Sequence, residues 1–158
     1  MPSSPLAHIC LLVRDLDVAV NDWRGILAVL DPAQLEQPIV RYDEFEGGED
    51  RMRWATFVTD QGTEIQLLEP APDTPLGRRL ERHGEHVHHI CFTTSDVSAT
   101  ATQLAEAGFD VDADRSYSDP SIPWQRWTWL RPTSTHGVMV EIARPYKALD
   151  GRWVDGEV

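Results

Sequence analysis

A short pattern of residues occurs twice in this chain at a fixed distance. Residues 8–10, His-Ile-Cys, recur as residues 89–91, and Asp15 recurs as Asp96 at the same offset of 81 positions. In both copies the histidine lies in a β-rich apolar stretch, and the aspartate lies where a helix can begin. The sequence therefore predicts two copies of one supersecondary unit, each opening with a strand that carries a histidine.

A second correspondence links the ends of the two copies. Gln66 and Glu141, 75 positions apart, each precede a proline by four residues. Each copy then closes with a strand that carries an amide or a carboxylate, and packing one copy against the other can gather four metal-binding side chains. These candidate ligands are His8, Gln66, His89 and Glu141. A metal site made of two histidines and one glutamate would function without the Gln66 amide, so the ligand role of Gln66 stays open.

Composition limits the classes of protein to which the chain can belong. Its 158 residues, 41% of them hydrophobic, are enough for a compact core. The 14 Lys and Arg residues against 26 Asp and Glu residues give a net charge of −12, which argues against nucleic-acid binding. The first residues lack a secretion signal, and no apolar run approaches the roughly 20 residues of a membrane span. We expect a cytoplasmic protein in which Cys10 and Cys91 are free thiols.

Apolar spacing predicts the same element order in both copies. In the first, a strand over residues 7–13 precedes a helix that Asp15 caps, and three strands follow over 38–45, 52–58 and 63–68. In the second, a strand over 87–94 precedes a helix that runs from Asp96 to Gly108, and strands are predicted near 109–113, 124–130 and 137–143. Thr74 and Pro75 begin a short helix between the copies.

Strand alternation predicts which side chains share a face of the sheet. His8 shares its face with Cys10, and His89 shares its face with Cys91, because side chains two positions apart point the same way. His88 is then expected on the opposite face, as a surface residue or as a partner behind the ligands. Gln66 shares its face with Glu64, which is the alternative ligand.

Four segments of the chain resemble a known superfamily. The segments HICLLVRDL, QLLEP, GEHVHHICFTTSDV and RPTSTHGVMVEI are similar to the vicinal oxygen chelate superfamily, which includes glyoxalases, bleomycin resistance proteins and dioxygenases. Within it, the chain is most similar to the methylmalonyl-CoA epimerases. The resemblance implies an α+β fold in which two tandem βαβββ modules form one curved mixed sheet around a metal site.

The resemblance also predicts how the chain is divided into modules. We expect a single domain over residues 1–158, with modules at 5–72 and 87–146, a linker with a short helix at 73–86 and a C-terminal extension at 147–158. It implies one divalent ion per chain (Co, Mn, Zn, Ni or Fe), held by the four candidate ligands. It further implies two bases: Glu141, and a second acid from the segment before the third strand. The acidic run there offers Glu46, Glu49 and Asp50, although such a run is more often a solvated turn.

Other polar and aromatic residues are candidates for substrate binding. Trp124, Arg126 and Trp129 can line a pocket, although alternating aromatic residues are also ordinary strand packing. Arg126 or Arg53 can pair with a substrate carboxylate, although pairing with an acidic neighbour is more common. Ser134, Thr135 and His136 form a polar turn that the resemblance places beside the active site.

The chain departs from the resembled epimerases in two places. Residues 118–127, SDPSIPWQRW, stand where those enzymes tend to have a glycine- and lysine-containing loop, and residues 131–133, Arg-Pro-Thr, replace their His-Pro-Lys step. The substrate is therefore a small molecule that is either an acyl-CoA or another chelating dicarbonyl or carboxylate.

Three functions are consistent with these features. The first is a metal-dependent epimerase or isomerase that acts through an enolate. The second is an iron dioxygenase, because His-His-Glu is also a facial triad that leaves positions open for oxygen. The third is a non-catalytic binding or resistance protein that captures an apolar ligand. We also expect a homodimer, in which an isologous contact covers apolar helical faces and edge strands.

Overall fold

The computed structural model describes residues 6–43, 51–113 and 116–157. The first repeat contains β1 (Leu6–Leu12), α1 (Leu16–Leu30), β2 (Val40–Tyr42), β3 (Met52–Phe57) and β4 (Glu64–Pro70). After α2 (Pro75–His83), the second contains β5 (His86–Thr93), α3 (Val97–Glu106), β6 (Tyr117–Asp119), β7 (Ile122–Leu130), α4 (Pro132–Thr135) and β8 (Met139–Ala143). Two further strands follow, β9 (Tyr146–Leu149) and β10 (Arg152–Asp155).

The two repeats join into one curled sheet of eight strands. The strand order is β2-β3-β4-β1-β5-β8-β7-β6, so the two histidine-bearing strands lie side by side at its centre. β1 and β5 are antiparallel, whereas β1 with β4 and β5 with β8 are parallel. The predicted mixed α+β fold with a curved sheet is confirmed.

The helices begin where the sequence predicts them. Asp15 and Asp96 each accept a hydrogen bond from a backbone amide in the first turn of the helix that follows, at 3.1 and 2.9 Å. The Thr74 hydroxyl does the same for α2. Gly108 follows α3 with a φ of 94°, a conformation that suits glycine at a helix end. No helix in the described ranges combines the length and apolar character needed to cross a bilayer.

Side chains alternate between the two faces of the sheet. One face, the outer face, packs against α1 through Leu16, Val20 and Leu27, which contact Ala55 and Leu67. The opposite face, which we call the inner face, carries His8. Cys10 and Cys91 are buried there as free thiols, as predicted.

One predicted strand is wrong. Residues 109–113 form only a single bridge, between Val111 and Leu130, and the strand of this region is β6, at Tyr117–Asp119. The side chain of Asp110 instead binds Arg131 and Thr133, each at 2.7 Å. These contacts hold the segment beside the turn before β8 rather than along a strand.

Tyr146 and most of the predicted C-terminal extension form a hairpin. β9 and β10 pair through a two-residue turn at Asp150 and Gly151, both of which have positive φ. Asp-Gly is a strong signal for such a turn, so the sequence contained evidence for this hairpin. The hairpin contacts both β2 and β7, which lie on opposite sides of the central strands.

A glycine in α2 is essential for its packing. A Cβ at Gly77 would lie 2.2 Å from the carbonyl oxygen of Ala71 and 2.8 Å from that of Pro72. We expect Gly77→Ala to lower the free energy of unfolding by roughly 1–3 kcal/mol, the usual range for overpacking. Gly25→Ala, in the interior of α1 with nothing within 4 Å of the new Cβ, should raise it by roughly 0.5–1 kcal/mol. Urea unfolding measures the free energy of unfolding of both variants. If the two substitutions changed it equally, close packing at Gly77 would not be the cause.

Candidate metal centre

Strand register places the candidate ligands in two adjacent rows on the inner face. In the first row, His8 pairs with Glu64 on one side and Cys91 on the other, and Cys91 pairs with Glu141. In the second row, Cys10 lies between Gln66 and His89. The repeat thus brings the four predicted ligands to one face, although they lie far apart along the chain.

Three of these side chains meet within contact distance. His89 Nε2 lies 3.1 Å from His8 Nε2 and 3.0 Å from Glu141 Oε2, while His8 Nε2 lies 3.9 Å from the same oxygen. An ion with bonds of about 2.1 Å separates neighbouring octahedral ligand atoms by about 3.0 Å and opposite ones by about 4.2 Å. All three distances lie within that range, so one ion can contact the three atoms.

The protonation of the histidines suits metal binding. Burial lowers the pKa of His8 to about 3 and that of His89 to about 3, and each residue is only 3% exposed. Both imidazoles are therefore neutral at pH 7, which is the form that coordinates metal. The same burial raises the pKa of Glu141. Among the described residues, the neutral rings of these two histidines lie beside the Glu141 carboxylate and no Arg or Lys pairs with it, so a divalent ion would supply the missing positive charge.

Gln66 lies beside this triangle. The side chain is buried, and its amide nitrogen donates to Thr56 Oγ1 at 3.1 Å. Because that bond engages the nitrogen, the amide oxygen is the atom suited to coordinate a metal. Glu64, the alternative ligand, is also buried and accepts a hydrogen bond from the backbone amide of Thr59 at 2.9 Å. Burial raises its pKa to about 8, so it is largely protonated at pH 7.

Cys91 is a potential donor that the sequence analysis did not consider as a ligand. A donor atom each from His8, Cys91 and Glu141 lie within 4.8 Å of one another. The shared face of Cys91 and His89 was evident from alternation, but the place of Cys91 between His8 and Glu141 depends on strand register. We favour His89 as the third ligand, because its Nε2 lies 3.1 Å from His8 Nε2 and 3.0 Å from Glu141 Oε2. Burial also raises the pKa of the Cys91 thiol, which opposes the thiolate that binds metal.

His88 lies on the same side as His89, contrary to simple alternation. The pairing of β1 with β5 passes from His89 to Val87 and skips His88, which is a β-bulge. This extra residue turns the His88 ring so that its Nδ1 lies 2.8 Å from His89 Nδ1. His88 is therefore a partner behind the ligand, and the expectation that it points to the opposite face is wrong.

The first ligand also has a partner behind it. The hydroxyl of Tyr146, in the C-terminal hairpin, lies 2.5 Å from His8 Nδ1. Tyr146 was not among the predicted site residues, because it lies at the last position of the predicted second module and has no counterpart in the repeated motifs, 138 positions from its partner. Each histidine of the triangle thus presents Nε2 to the site and Nδ1 to a polar neighbour.

The three substrate-binding candidates of β7 lie in different environments. The Trp129 ring packs edge-on against His89, with 5.2 Å between ring centroids. Trp124 packs against the apolar cluster of the inner face that contains Cys10 and Trp153. Arg126 is exposed and donates to the backbone carbonyls of Pro123 and Gln125. Only Trp129 therefore lies directly against a candidate ligand.

The other arginine candidate is paired with an acid. Arg53 lies opposite Glu69 in the register of β3 and β4, and its Nε and Nη2 donate to one Glu69 oxygen at 2.9 and 2.5 Å. This is the common cross-strand pairing that the sequence analysis gave as its alternative.

The polar turn before β8 is occupied by local hydrogen bonds. Ser134 Oγ accepts a bond from the Asp110 amide at 2.7 Å, and the Thr135 hydroxyl donates to the Val138 carbonyl. His136 is exposed and ends α4 with a φ of 60°. In the described part of the chain, these three residues do not hydrogen-bond to the four candidate ligands. Glu46, Glu49 and Asp50, the candidates for the second base, lie outside the described residues.

Comparisons with known proteins indicate the family of this chain. The profile of the Glyoxalase/Bleomycin resistance protein/Dioxygenase superfamily matches residues 7–122. The ethylmalonyl-CoA/methylmalonyl-CoA epimerase of Cereibacter sphaeroides is 28% identical over 141 residues, which are 87% of this chain and 95% of that protein.

Solved epimerase structures share the fold. A variant of the Streptomyces coelicolor methylmalonyl-CoA epimerase, in complex with 2-nitronate-propionyl-CoA, is 29% identical with a TM-score of 0.64, and the match covers 90% of this chain and 97% of that one. A methylmalonyl-CoA epimerase in complex with methylmalonyl-CoA and NH4+ is 28% identical with a TM-score of 0.65, and the match covers 90% and 94%. On the extent of the profile match and the shared fold, this chain belongs to the Glyoxalase/Bleomycin resistance protein/Dioxygenase superfamily.

Proposed function

We propose that this protein is a metal-dependent epimerase of the methylmalonyl-CoA epimerase type. The observation that carries the proposal is the triangle of His8, His89 and Glu141 on one sheet face, with Nε2 and carboxylate oxygen atoms 3.0 to 3.9 Å apart. The epimerase relatives, which align over nearly their whole length, support the same activity.

The donor set fits one divalent ion per chain. His8, His89 and Glu141 would hold it, and Gln66 would add a fourth ligand through its amide oxygen. When bound, such an ion acts as a Lewis acid toward two neighbouring substrate oxygens and stabilises the negative charge of the enolate. These four ligands do not identify the metal, because Co, Mn, Zn, Ni and Fe all accept imidazole and oxygen donors.

The chain itself must move the proton. Epimerisation removes the proton from one face of the carbon between two carbonyls and returns a proton to the other face, so it needs an acid–base group on each side. We assign one of these groups to Glu141, whose carboxylate oxygen lies 3.0 Å from His89 Nε2 and therefore beside the proposed metal. The second group is assigned to the run containing Glu46, Glu49 and Asp50, between β2 and β3.

The substrate is proposed to be an acyl-CoA with a second carbonyl group next to the reacting carbon. The relatives named for methylmalonyl-CoA support this class. Trp129, which packs against His89, is proposed to contact the acyl group. Ser134, Thr135 and His136 are retained as candidates at the mouth of the site, and Trp124 as a residue of its wall. Arg126 donates to nearby backbone carbonyls, so its role in substrate binding is proposed from the sequence alone.

The dioxygenase alternative uses the same histidines and glutamate but needs more open coordination positions. A buried Gln66 whose nitrogen is held by Thr56 favours a fourth protein ligand. Such a ligand occupies a position that oxygen chemistry would need. This is the specific observation that favours the epimerase.

Deuterium exchange tests the function. The metal-loaded protein is incubated in heavy water with 2-substituted malonyl thioesters and with their free acids, and exchange at the α-carbon is followed by NMR. We expect exchange on at least one thioester. Exchange on free acids alone would keep the chemistry but overturn the acyl-CoA assignment. No exchange across the panel, together with oxygen uptake by the iron-loaded protein on a catechol, would overturn the epimerase in favour of the dioxygenase.

We also propose that the protein is a homodimer. Val18, Val29 and Leu30 of α1 are more than half exposed, at 57%, 81% and 76%, and an isologous contact would cover such apolar side chains. Light scattering at micromolar concentration should report about twice the chain mass of 17.9 kDa. A single species at the chain mass would contradict the dimer.

A further inference from the structure

The C-terminal hairpin reaches the candidate metal centre from outside the repeat. Tyr146 and Trp153 pack edge to face, with 4.5 Å between ring centroids, and Trp153 stacks in turn on Trp54 of β3. The Trp153 amide donates to the Tyr42 hydroxyl at 3.0 Å. These aromatic contacts anchor the hairpin on the inner face, where the Tyr146 ring lies beside His8.

The ends of the hairpin are also held. Arg144, just before β9, makes a forked pair with Asp155 of β10, in which its Nε and Nη2 each lie 3.0 Å from a different carboxylate oxygen. A Cβ at Gly156 would lie 2.7 Å from the backbone nitrogen of Tyr146, so the chain can pass this close only with glycine. The position of Tyr146 is therefore set by the backbone pairing of β9 with β10, by the close approach of Gly156 and by the contact with the Trp153 ring.

The hydrogen bond to His8 has a defined direction when His8 is a ligand. A neutral imidazole that coordinates through Nε2 carries its proton on Nδ1, and that N–H needs an acceptor in a buried site. The Tyr146 oxygen, 2.5 Å from His8 Nδ1, is such an acceptor. Without it, the other tautomer, which blocks Nε2 with a proton, becomes competitive.

We propose that Tyr146 is a positioning residue of the metal centre, which holds His8 in the orientation and tautomer that expose Nε2 to the metal. The C-terminal hairpin is then part of the site rather than an appendage of the fold. This inference rests on the proposed metal-binding role of His8. Partners of this kind typically contribute a factor of 10–100 in metal affinity.

The first test compares the affinity for Co2+ of the full-length chain and two variants, in competition with a chromophoric chelator. Tyr146→Phe keeps the ring but removes the acceptor, so we expect affinity to fall by roughly 10–100-fold. Tyr42→Phe is the matched control, because it removes the hydroxyl that anchors the same hairpin at Trp153 but does not touch His8. Its affinity should stay within about 3-fold of wild type. Equal losses in both variants would show that only hairpin packing matters, and no loss in Tyr146→Phe would also overturn the proposal.

The second test reads the tautomer without metal. Nitrogen-15 NMR of the histidines in the wild-type chain should show His8 protonated at Nδ1, with a proton protected from exchange, and Tyr146→Phe should lose that protection. Protonation at Nε2 in the wild type would overturn the proposal even if the variant failed to fold. If the wild type binds Co2+ and both variants bind it equally well, the role of Tyr146 is overturned but the proposed function is not. Absence of Co2+ binding by the wild type would overturn it together with the proposed function.

Discussion

Replacement of either His8 or His89 by alanine is expected to abolish stoichiometric metal binding. Each variant removes one corner of the triangle and leaves Glu141 with a single histidine. The loss should exceed the roughly 100-fold upper range for residues that act only behind a ligand. Each variant also opens a cavity beside buried neighbours, so unfolding should be recorded in parallel.

Elemental analysis after dialysis against a weak chelator measures this effect. His83→Ala is the control, because His83 is exposed in the last turn of α2 and is not one of the candidate ligands. It should keep the metal content of the wild type, at about one ion per chain. If both site variants kept wild-type metal content, the triangle would not be a metal centre, and the proposed function would lose its main support.

Glu141→Gln is expected to abolish epimerisation and most of the exchange of the epimer whose α-proton Glu141 removes. The amide preserves the size of the side chain but cannot accept a proton, and general acid–base groups commonly contribute 10²–10⁴-fold to a rate. An amide oxygen is also a weaker ligand than a carboxylate, so metal affinity should decrease as well. Exchange must therefore be measured at saturating metal, so that the loss reports on the proton transfer.

Glu64→Gln is the informative comparison for this variant. Both carboxyl groups lie in the same row of the inner face, Glu64 buried and Glu141 half-buried, but only Glu141 lies near the two Nε2 atoms. The structure therefore predicts that Glu64→Gln keeps exchange within about tenfold of the wild type. The reverse result, with exchange lost in Glu64→Gln and kept in Glu141→Gln, would transfer the role to the alternative ligand named in the sequence analysis.

The repeat explains why much of this site could be predicted before the fold was known. A period of two along each strand determines which neighbours share a face with His8 and with His89, and this is a local property of the backbone. The capping aspartates, Asp15 and Asp96, are equally local, because a helix start depends on the side chain before its first turn. The resemblance to the superfamily then supplied the curved sheet that joins the two halves.

The remaining features depend on contacts between distant segments. Cys91 lies between His8 and Glu141 because of the register of three strands, and a bulge brings His88 behind His89. Arg53 pairs across strands with Glu69. None of these follows from alternation within one strand, because register and bulges are set by how neighbouring strands pair and pack.

The sequence by itself determined the repeated unit, the helix starts and the neighbours that share a face with His8 and with His89, since each depends on spacing along the chain. Only the tertiary structure decided that His8 and His89 direct Nε2 toward Glu141, and that Tyr146 from the C-terminal hairpin meets His8 from behind. The Asp150-Gly151 turn is visible in the sequence, but the place where its hairpin docks is not. That place depends on aromatic packing with Trp54 and Tyr42, more than 90 positions away along the chain, and local spacing carries no information about such a contact.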